Sequence, residues 1–327
     1  MKLIATYLSC AVCGVDDTEA LYPALLSDGS ESSFQRIVIC RQCGLVYKNP
    51  VVPSENGLVY APGSWPQTNI FRQRLEANAD FIATRAHLAT GDAILDVGPG
   101  PGFLMAALRE RYPSSKIFGL EAVPEVAALA ARQCRGAVVL PGSVDEASFP
   151  ANRFKLMAVC GVDYLFADHR GALEKLSRWL ANDGWLYIER NVFVDQQAYT
   201  AADITSLDTL FGSNPLMTTW FHRDQYREYL DCMFEVVESR RYDSDVTSSG
   251  RRNTLDGHLC RKRVAPIMRT PRSYYEENRA HVEALRARTP PRPQRTASPD
   301  AAQPSLHRVR AMILGRVKSA VKRALEP

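Results

Sequence analysis

The chain has 327 residues, 46% of them hydrophobic and 23% charged, an ordinary composition for a folded protein with room for one large domain and a small one. No run approaches the ~20 apolar residues that span a bilayer. The opening MKLIATYLSC is too short an apolar stretch for a secretory signal, so a cytoplasmic protein is expected. The net charge of +4 is uneven: residues 261–327 hold 16 Lys/Arg against 5 Asp/Glu, leaving 24 against 31 in the first 260. An enzyme that grips a polyanion places basic surface around its site, so the acidic body argues against a nucleic-acid substrate.

In chain order, residues 1–52 carry Cys10-x-x-Cys13-Gly14 and Cys40-x-x-Cys43-Gly44 among short β-like runs such as RIVIC and LVYKNP. Paired spacing in a cytosolic chain suggests metal before disulfide. Four thiolates make a closed tetrahedral zinc site with no open position, hence a structural ion. Buried thiol pairs or a redox pair are the alternatives. Residues 53–68, rich in Pro, Gly, Ser and Asn, read as a connector. A helix is predicted from Asn69 to about Ala89, with Phe71, Leu75, Ala79 and Ile82 on one face.

Strand and helix signals then alternate: AILDV (93–97), a helix from FLMAALRERY, KIFGLE (116–121), a helix from PEVAALAARQC, then AVVL (137–140) and LMAVC (156–160). GALEKLSRWLAN reads as a helix before WLYIE (185–189). This pattern predicts βαβ units and a Rossmann-like, mostly parallel α/β sheet of seven strands with helices on both faces, over residues 69–263. MFEVVESRRY and TLDGHLCRKR, closely spaced, suggest an antiparallel pair. Beyond lie a helix over 264–288 opened by a capping box from Ser273 to Glu276, and a Pro-rich disordered linker over 289–305. The final segment, 306–327, is a basic amphipathic helix whose stretch 306–325 suits peripheral contact with an anionic membrane.

The chemistry-bearing motif is ILDVGPGPG (94–102), a strand running through a glycine turn into a helix. Glycine lets backbone approach a ligand closely, and the helix N-terminus offers free N–H groups. A dinucleotide fingerprint needs glycine where Phe103 stands, and the GK[ST] of a P-loop is absent. Asp96 beside the glycines would repel a diphosphate. It suits instead the ammonium of a phosphate-free ligand such as S-adenosylmethionine. Glu121, ending the second strand of this domain, stands where an acid accepts hydrogen bonds from ribose hydroxyls.

Taken together, ILDVGPGPG, GLEAV and LANDGWLYIE resemble the class I S-adenosylmethionine-dependent methyltransferases over about residues 70–262. The resemblance implies that Gly98, Gly100 and Gly102 line the methionine moiety and that Glu121, beside Ala122, holds the ribose. It implies that Ser143 and Val144 meet the adenine and that Cys160 and Gly161 face the sulfonium. Ser143 replaces a usual Asp, Lys155 follows Phe154 where Phe-Asp is common, and Tyr164-Leu165 stands where many members show Glu-His. The phrase ICRQCGLVYKNP is similar to the zinc-binding segment that precedes methyltransferase domains in bacterial polysaccharide, sugar and antibiotic clusters. The resemblance implies a sugar, glycan or other small-molecule acceptor, methylated on oxygen. Candidate bases are His222, Asp163, His169 and Asp224, with Tyr164 beside Asp163 at the carboxyl edge of a strand. An RNA methyltransferase using the zinc module as a platform, or a non-catalytic scaffold, are the competing readings.

Overall fold

A computed structural model describes residues 7–25, 31–51, 69–191, 207–212, 217–246, 252–265 and 272–288. The connector 53–68, the linker 289–305 and the basic helix 306–327 lie outside the described residues.

The main body contains α1 (Asn69–Ala83), β4 (Ala93–Val97), α2 (Phe103–Arg111), β5 (Lys116–Glu121), α3 (Pro124–Gln133) and β6 (Val138–Pro141). It continues through β7 (Phe154–Cys160), a 3-10 turn at Asp163–Leu165, α4 (His169–Trp179), β8 (Leu180–Asn191) and α5 (Leu207–Gly212). α6 (Arg223–Met233), β10 (Phe234–Val246) and β11 (Arg252–Lys262) complete it. Its seven strands run in the order β10-β11-β8-β7-β4-β5-β6. β4 to β8 are parallel, whereas β11 pairs antiparallel with both β8 and β10. The mostly parallel Rossmann-like sheet read from the alternation is therefore the architecture, with the last two strands antiparallel as expected.

Every residue of β4 is buried, as a central parallel strand covered on both faces requires. Ile94 faces Leu75, Ala79 and Ile82 of α1 and Met105 and Leu108 of α2. Leu95 and Val97 face the opposite layer, formed by Leu173 and Leu176 of α4 with Tyr229 and Leu230 of α6. The strand alternation thus divides the interior into two cores.

The N-terminal module adds β1 (Thr18–Leu25), β2 (Glu31–Cys40) and β3 (Val46–Asn49). They make a second sheet, in the order β1-β2-β3-β9. Its fourth strand, β9 (Thr219–Trp220), comes from the main body: Val46 pairs with Trp220 and Tyr47 with Thr219. The module is also covered by α7 (Tyr275–Arg286), whose Val282 and Leu285 join Leu21, Ile37 and Ile39. α7 begins without the capping box expected at Ser273: its N-cap is Tyr274, and Ser273 Oγ accepts only the Tyr275 N–H at 3.3 Å. Burial of Tyr274 against the second cysteine knuckle explains the difference, because its N–H is engaged by Cys43 O at 3.0 Å.

Candidate functional site

β4 delivers the chain to the glycine turn at the carboxyl edge of the sheet, the side on which open α/β sheets bind ligands. Gly98, Gly100 and Gly102 take φ of 66°, 54° and 88°. A Cβ on Gly98 would lie 2.6 Å from Val162 Cγ1, so the turn packs directly on the segment after β7. Gly102 caps α2 in the left-handed conformation, and a Cβ there would lie 2.9 Å from both Cα and O of Ala130 on α3. Gly102→Ala is expected to cost about 1–3 kcal/mol from backbone conformation alone, before the clash. Urea denaturation checks it: an unchanged midpoint would contradict the close approach.

Two acids flank this turn. Glu121 is 6% exposed. Its Oε2 accepts the Gly100 N–H and its Oε1 the Val123 N–H, each at 3.1 Å. Burial raises its carboxyl, and the N–H groups of Val123, Gly100 and Ala122 partly offset the rise. Asp96 is 1% exposed, and its Oδ2 is buried with no hydrogen-bond partner. Burial first and the Glu121 charge second push its carboxyl up to about 8. Ala122 is exposed beside Glu121. After β6, Val144 is buried, whereas Ser143 Oγ and N–H both donate to Glu146 Oε2 at 3.0 Å. Lys175 of α4 ties this loop down through Val144 O at 3.1 Å. Gly161 has open space where a Cβ would stand. Burial, then the charges of Glu189 and Asp96, holds the Cys160 thiol well above its ordinary range.

A further polar group, not anticipated from the sequence, lies one strand away. Glu189 pairs in register with Cys160 and is fully buried. Asn78 of α1 donates to Glu189 Oε2, and Arg74 Nη1 lies 3.6 Å from Oε1. Asn78 Oδ1 accepts from Tyr187 OH at 3.1 Å and from Arg240 of β10. A polar residue at the buried stripe of α1 and an acid closing the WLYIE run were the visible signals.

The expected bases are placed differently. Asp163 is fully buried, and its Oδ2 accepts from Tyr226 OH at 2.9 Å, Arg190 Nη1 at 3.0 Å and His169 Nε2 at 3.1 Å. Burial alone would raise its carboxyl. The Arg190 charge, then the His169 contact, outweigh burial and hold it below the usual range. Burial holds His169 below the usual imidazole value. An acid so enclosed and so paired anchors the turn and does not take a proton from a solvent-side acceptor, which corrects the expectation for Asp163. His222 caps α6, its Nδ1 accepting the Asp224 N–H at 3.1 Å, and its ring stacks on Tyr274 at 4.7 Å. These are the contacts of a helix cap at the seam with α7, not of a base beside the glycine turn. Asp224 lies exposed in the first turn of α6. Tyr164 packs half-buried on the module's core, its carbonyl accepting from Thr218 N at 2.8 Å and Oγ1 at 2.9 Å.

The four N-terminal cysteines do converge. Their sulfurs all lie within 4.8 Å of one another, with Cys10–Cys43 at 3.3 Å and Cys13–Cys40 at 3.5 Å. Zn–S bonds of about 2.3 Å in a tetrahedron place sulfurs about 3.8 Å apart, so the donor set fits zinc in number, type and spacing. The knuckles repeat one turn: Gly14 N–H donates to Cys10 O and Gly44 N–H to Cys40 O, both at 2.8 Å, with φ of 75° and 81°. The main body and α7 grip both knuckles. Arg170 of α4 donates to Ala11 O at 2.7 Å and to Val12 O. Gln225 of α6 donates to Cys43 O at 2.7 Å, and Asn278 of α7 to Gly44 O at 2.8 Å.

Among solved structures, the chain is similar to the YcgJ protein from Bacillus subtilis, at 12% identity and a TM-score of 0.45 over 58% of this chain and 99% of that one. It is similar also to geranyl diphosphate C-methyltransferase from Streptomyces coelicolor A3(2), solved with S-adenosyl-L-homocysteine, at 12% identity and 0.44 over 63% and 85%. The plantazolicin methyltransferase BpumL gives 14% and 0.44 over 60% and 87%. No curated protein matches the chain in sequence. Residues 95–188, from within β4 into β8, match the family model described as a methyltransferase domain.

Proposed function

We propose that this protein transfers the methyl group of S-adenosylmethionine to an oxygen of a sugar, glycan or other small-molecule acceptor. The observation that carries the reading is the pair Asp96 and Glu121. Two buried carboxyl groups beside a glycine turn, one of them with an oxygen lacking any donor, suit a cationic nucleoside, and the Glu121 carboxylate disfavours phosphate. The matched methyltransferase domain supports it, and the acidic balance of the first 260 residues favours a small acceptor over RNA. The likeness of ICRQCGLVYKNP to segments from glycan clusters supports the acceptor class.

When bound, S-adenosylmethionine supplies an electrophilic methyl on sulfur. Gly98, Gly100 and Gly102 bring backbone against the methionine moiety, Asp96 takes the ammonium and Glu121 the ribose hydroxyls. Val144 offers apolar surface to the adenine. Cys160, kept protonated by burial, flanks the sulfonium without competing as a nucleophile. The acceptor would bind at the carboxyl edge of the sheet near the ends of β7 and β8, and holding it in line with the methyl would be the principal task left to the protein. We infer further that Cys10, Cys13, Cys40 and Cys43 hold a structural zinc.

A thermal-shift comparison tests the donor site. S-Adenosylhomocysteine at ~100 times its Kd is expected to add about 2.7 kcal/mol of stability, and NAD and ATP none. Glu121→Ala is expected to weaken the binding ~10- to 100-fold by removing a charged acceptor of two hydroxyl hydrogen bonds. A shift with NAD or ATP alone, or undiminished binding by Glu121→Ala, refutes the assignment.

A further inference from the structure

Asp96 and Glu121 sit on neighbouring strands, but their surroundings treat them differently. Glu121 receives two backbone N–H bonds that favour its ionised form. Asp96 receives none at Oδ2 and lies deeper, inside the central strand of the sheet. The titratable groups that face it are Glu121 on β5, Cys160 on β7 and Cys134 after α3; Glu189 on β8 and Arg74 on α1 act on Cys160, and Arg109 on α2 acts on Cys134. The two cations among these are engaged elsewhere, Arg74 with Glu189 and Arg109 with Ser115 O at 3.0 Å. The neighbouring Glu121 carboxyl adds like charge. Burial and repulsion therefore act in one direction, and the group's rise to about 8 follows from them.

We propose that Asp96 is a neutral carboxylic acid in the ligand-free protein and gives up its proton when the ammonium of the donor arrives, so that donor binding is coupled to proton release. The inference rests on the reading of this turn as an S-adenosylmethionine site. The step balances simply: the carboxyl O–H bond breaks, the proton passes to solvent buffer, and the carboxylate formed accepts an N–H of the incoming ammonium. A neutral acid is far less costly to bury than an unpaired anion, and the ligand supplies the cation that makes the ionised form stable. Affinity should accordingly rise up to tenfold per pH unit as the medium approaches the Asp96 pKa from below, the reciprocal of the proton loss.

Calorimetric titration with S-adenosylhomocysteine at pH 7, in phosphate and in a buffer of high ionisation enthalpy, reads the proton count directly. The parent is expected to release about one proton per ligand bound, and Asp96→Asn to bind more weakly without that release. Infrared difference spectra give a second readout that does not need the variant to bind: a protonated-carboxyl C=O stretch in the ligand-free parent, lost on ligand addition and missing from Asp96→Asn. Binding whose enthalpy is independent of buffer overturns the proton coupling while leaving the donor site intact. No binding heat in any buffer, with no thermal shift, overturns the donor site and the coupling with it.

Discussion

Cys40→Ser is expected to abolish zinc retention and to lower the melting temperature by about 8–16 °C. The sulfur lost is one of four within 4.8 Å of one another, and a tetrahedral thiolate site does not hold zinc well with three. The effect spreads because the knuckles are not a detached appendage. Cys10, Val12, Cys43 and Leu45 belong to the same apolar cluster as Phe221, Tyr229 and Leu230 of the main body. Arg170, Gln225, Tyr274 and Asn278 all bond to knuckle carbonyls, so slackening of either turn releases hydrogen bonds to α4, α6 and α7 together. A structural zinc is worth about 10–16 kcal/mol in isolated fingers. A decrement of order 4 kcal/mol is reasonable here, because apolar contacts survive the loss of the ion. At roughly 2–4 °C per kcal/mol for a chain of this size class, the stated shift follows. Chelation of the parent should reproduce it. Metal analysis with calorimetry decides: a Cys40→Ser protein that keeps about one zinc per chain, or melts with the parent, contradicts the site.

What the sequence revealed and what it withheld divide along a physical line. Local, repeating signals were legible. The alternation of apolar runs with helical stretches predicts the parallel sheet, and β4, β5 and β7 lie within a few residues of their expected limits. The CxxC spacing brought four sulfurs together across two turns. Long-range pairing was not legible. Nothing in Thr219–Trp220 marks it as the partner of Val46 and Tyr47, more than 170 residues earlier, since two residues carry no period. The facing of charged residues was hidden for a related reason. Glu189 and Arg190 are neighbours on β8 and both are fully buried, yet strand alternation sends Glu189 to Asn78 of α1 and Arg190 to Asp163 on the other face. A charged pair at a strand's end reads as surface until both covering layers are known. His222 misled for the opposite reason: its residue type suggests acid–base chemistry, while its position before α6 makes it an N-cap.

The Arg190–Asp163 pair carries the second large effect, because neither partner has solvent to fall back on. Arg190 is fully buried against the rings of Phe221 and Tyr226, 4.7 Å from each centroid. Its Nη1 bonds Asp163 and its Nη2 bonds Thr219 O, each at 3.0 Å, tying the end of β8 to the turn after β7 and to β9. Arg190→Leu should therefore cost about 3–5 kcal/mol at pH 7, the usual penalty for stranding a buried charge. Asp163→Asn in the same chain should recover part of it, since a neutral amide removes the stranded charge. The pH dependence gives the diagnostic sign. In the parent, the Asp163 carboxyl is held below its ordinary value, so its contribution is present at neutral pH and is lost only as pH falls through that depressed value. In Arg190→Leu, burial acts without the guanidinium and the carboxyl moves above its unfolded value, so the cost that Asp163 imposes on the variant eases as pH falls toward 5. His169, held low by burial with the Arg190 charge adding to the effect, weakens the parent below about pH 6.5; without the guanidinium that penalty is smaller in the variant, which acts in the same direction on the difference. Denaturant titrations of the two proteins at pH 7 and pH 5 should thus show a gap that narrows at the lower pH. A gap that is small at pH 7, or that widens on acidification, would mean that Asp163 draws its stabilisation from His169 and Tyr226 instead of from the guanidinium.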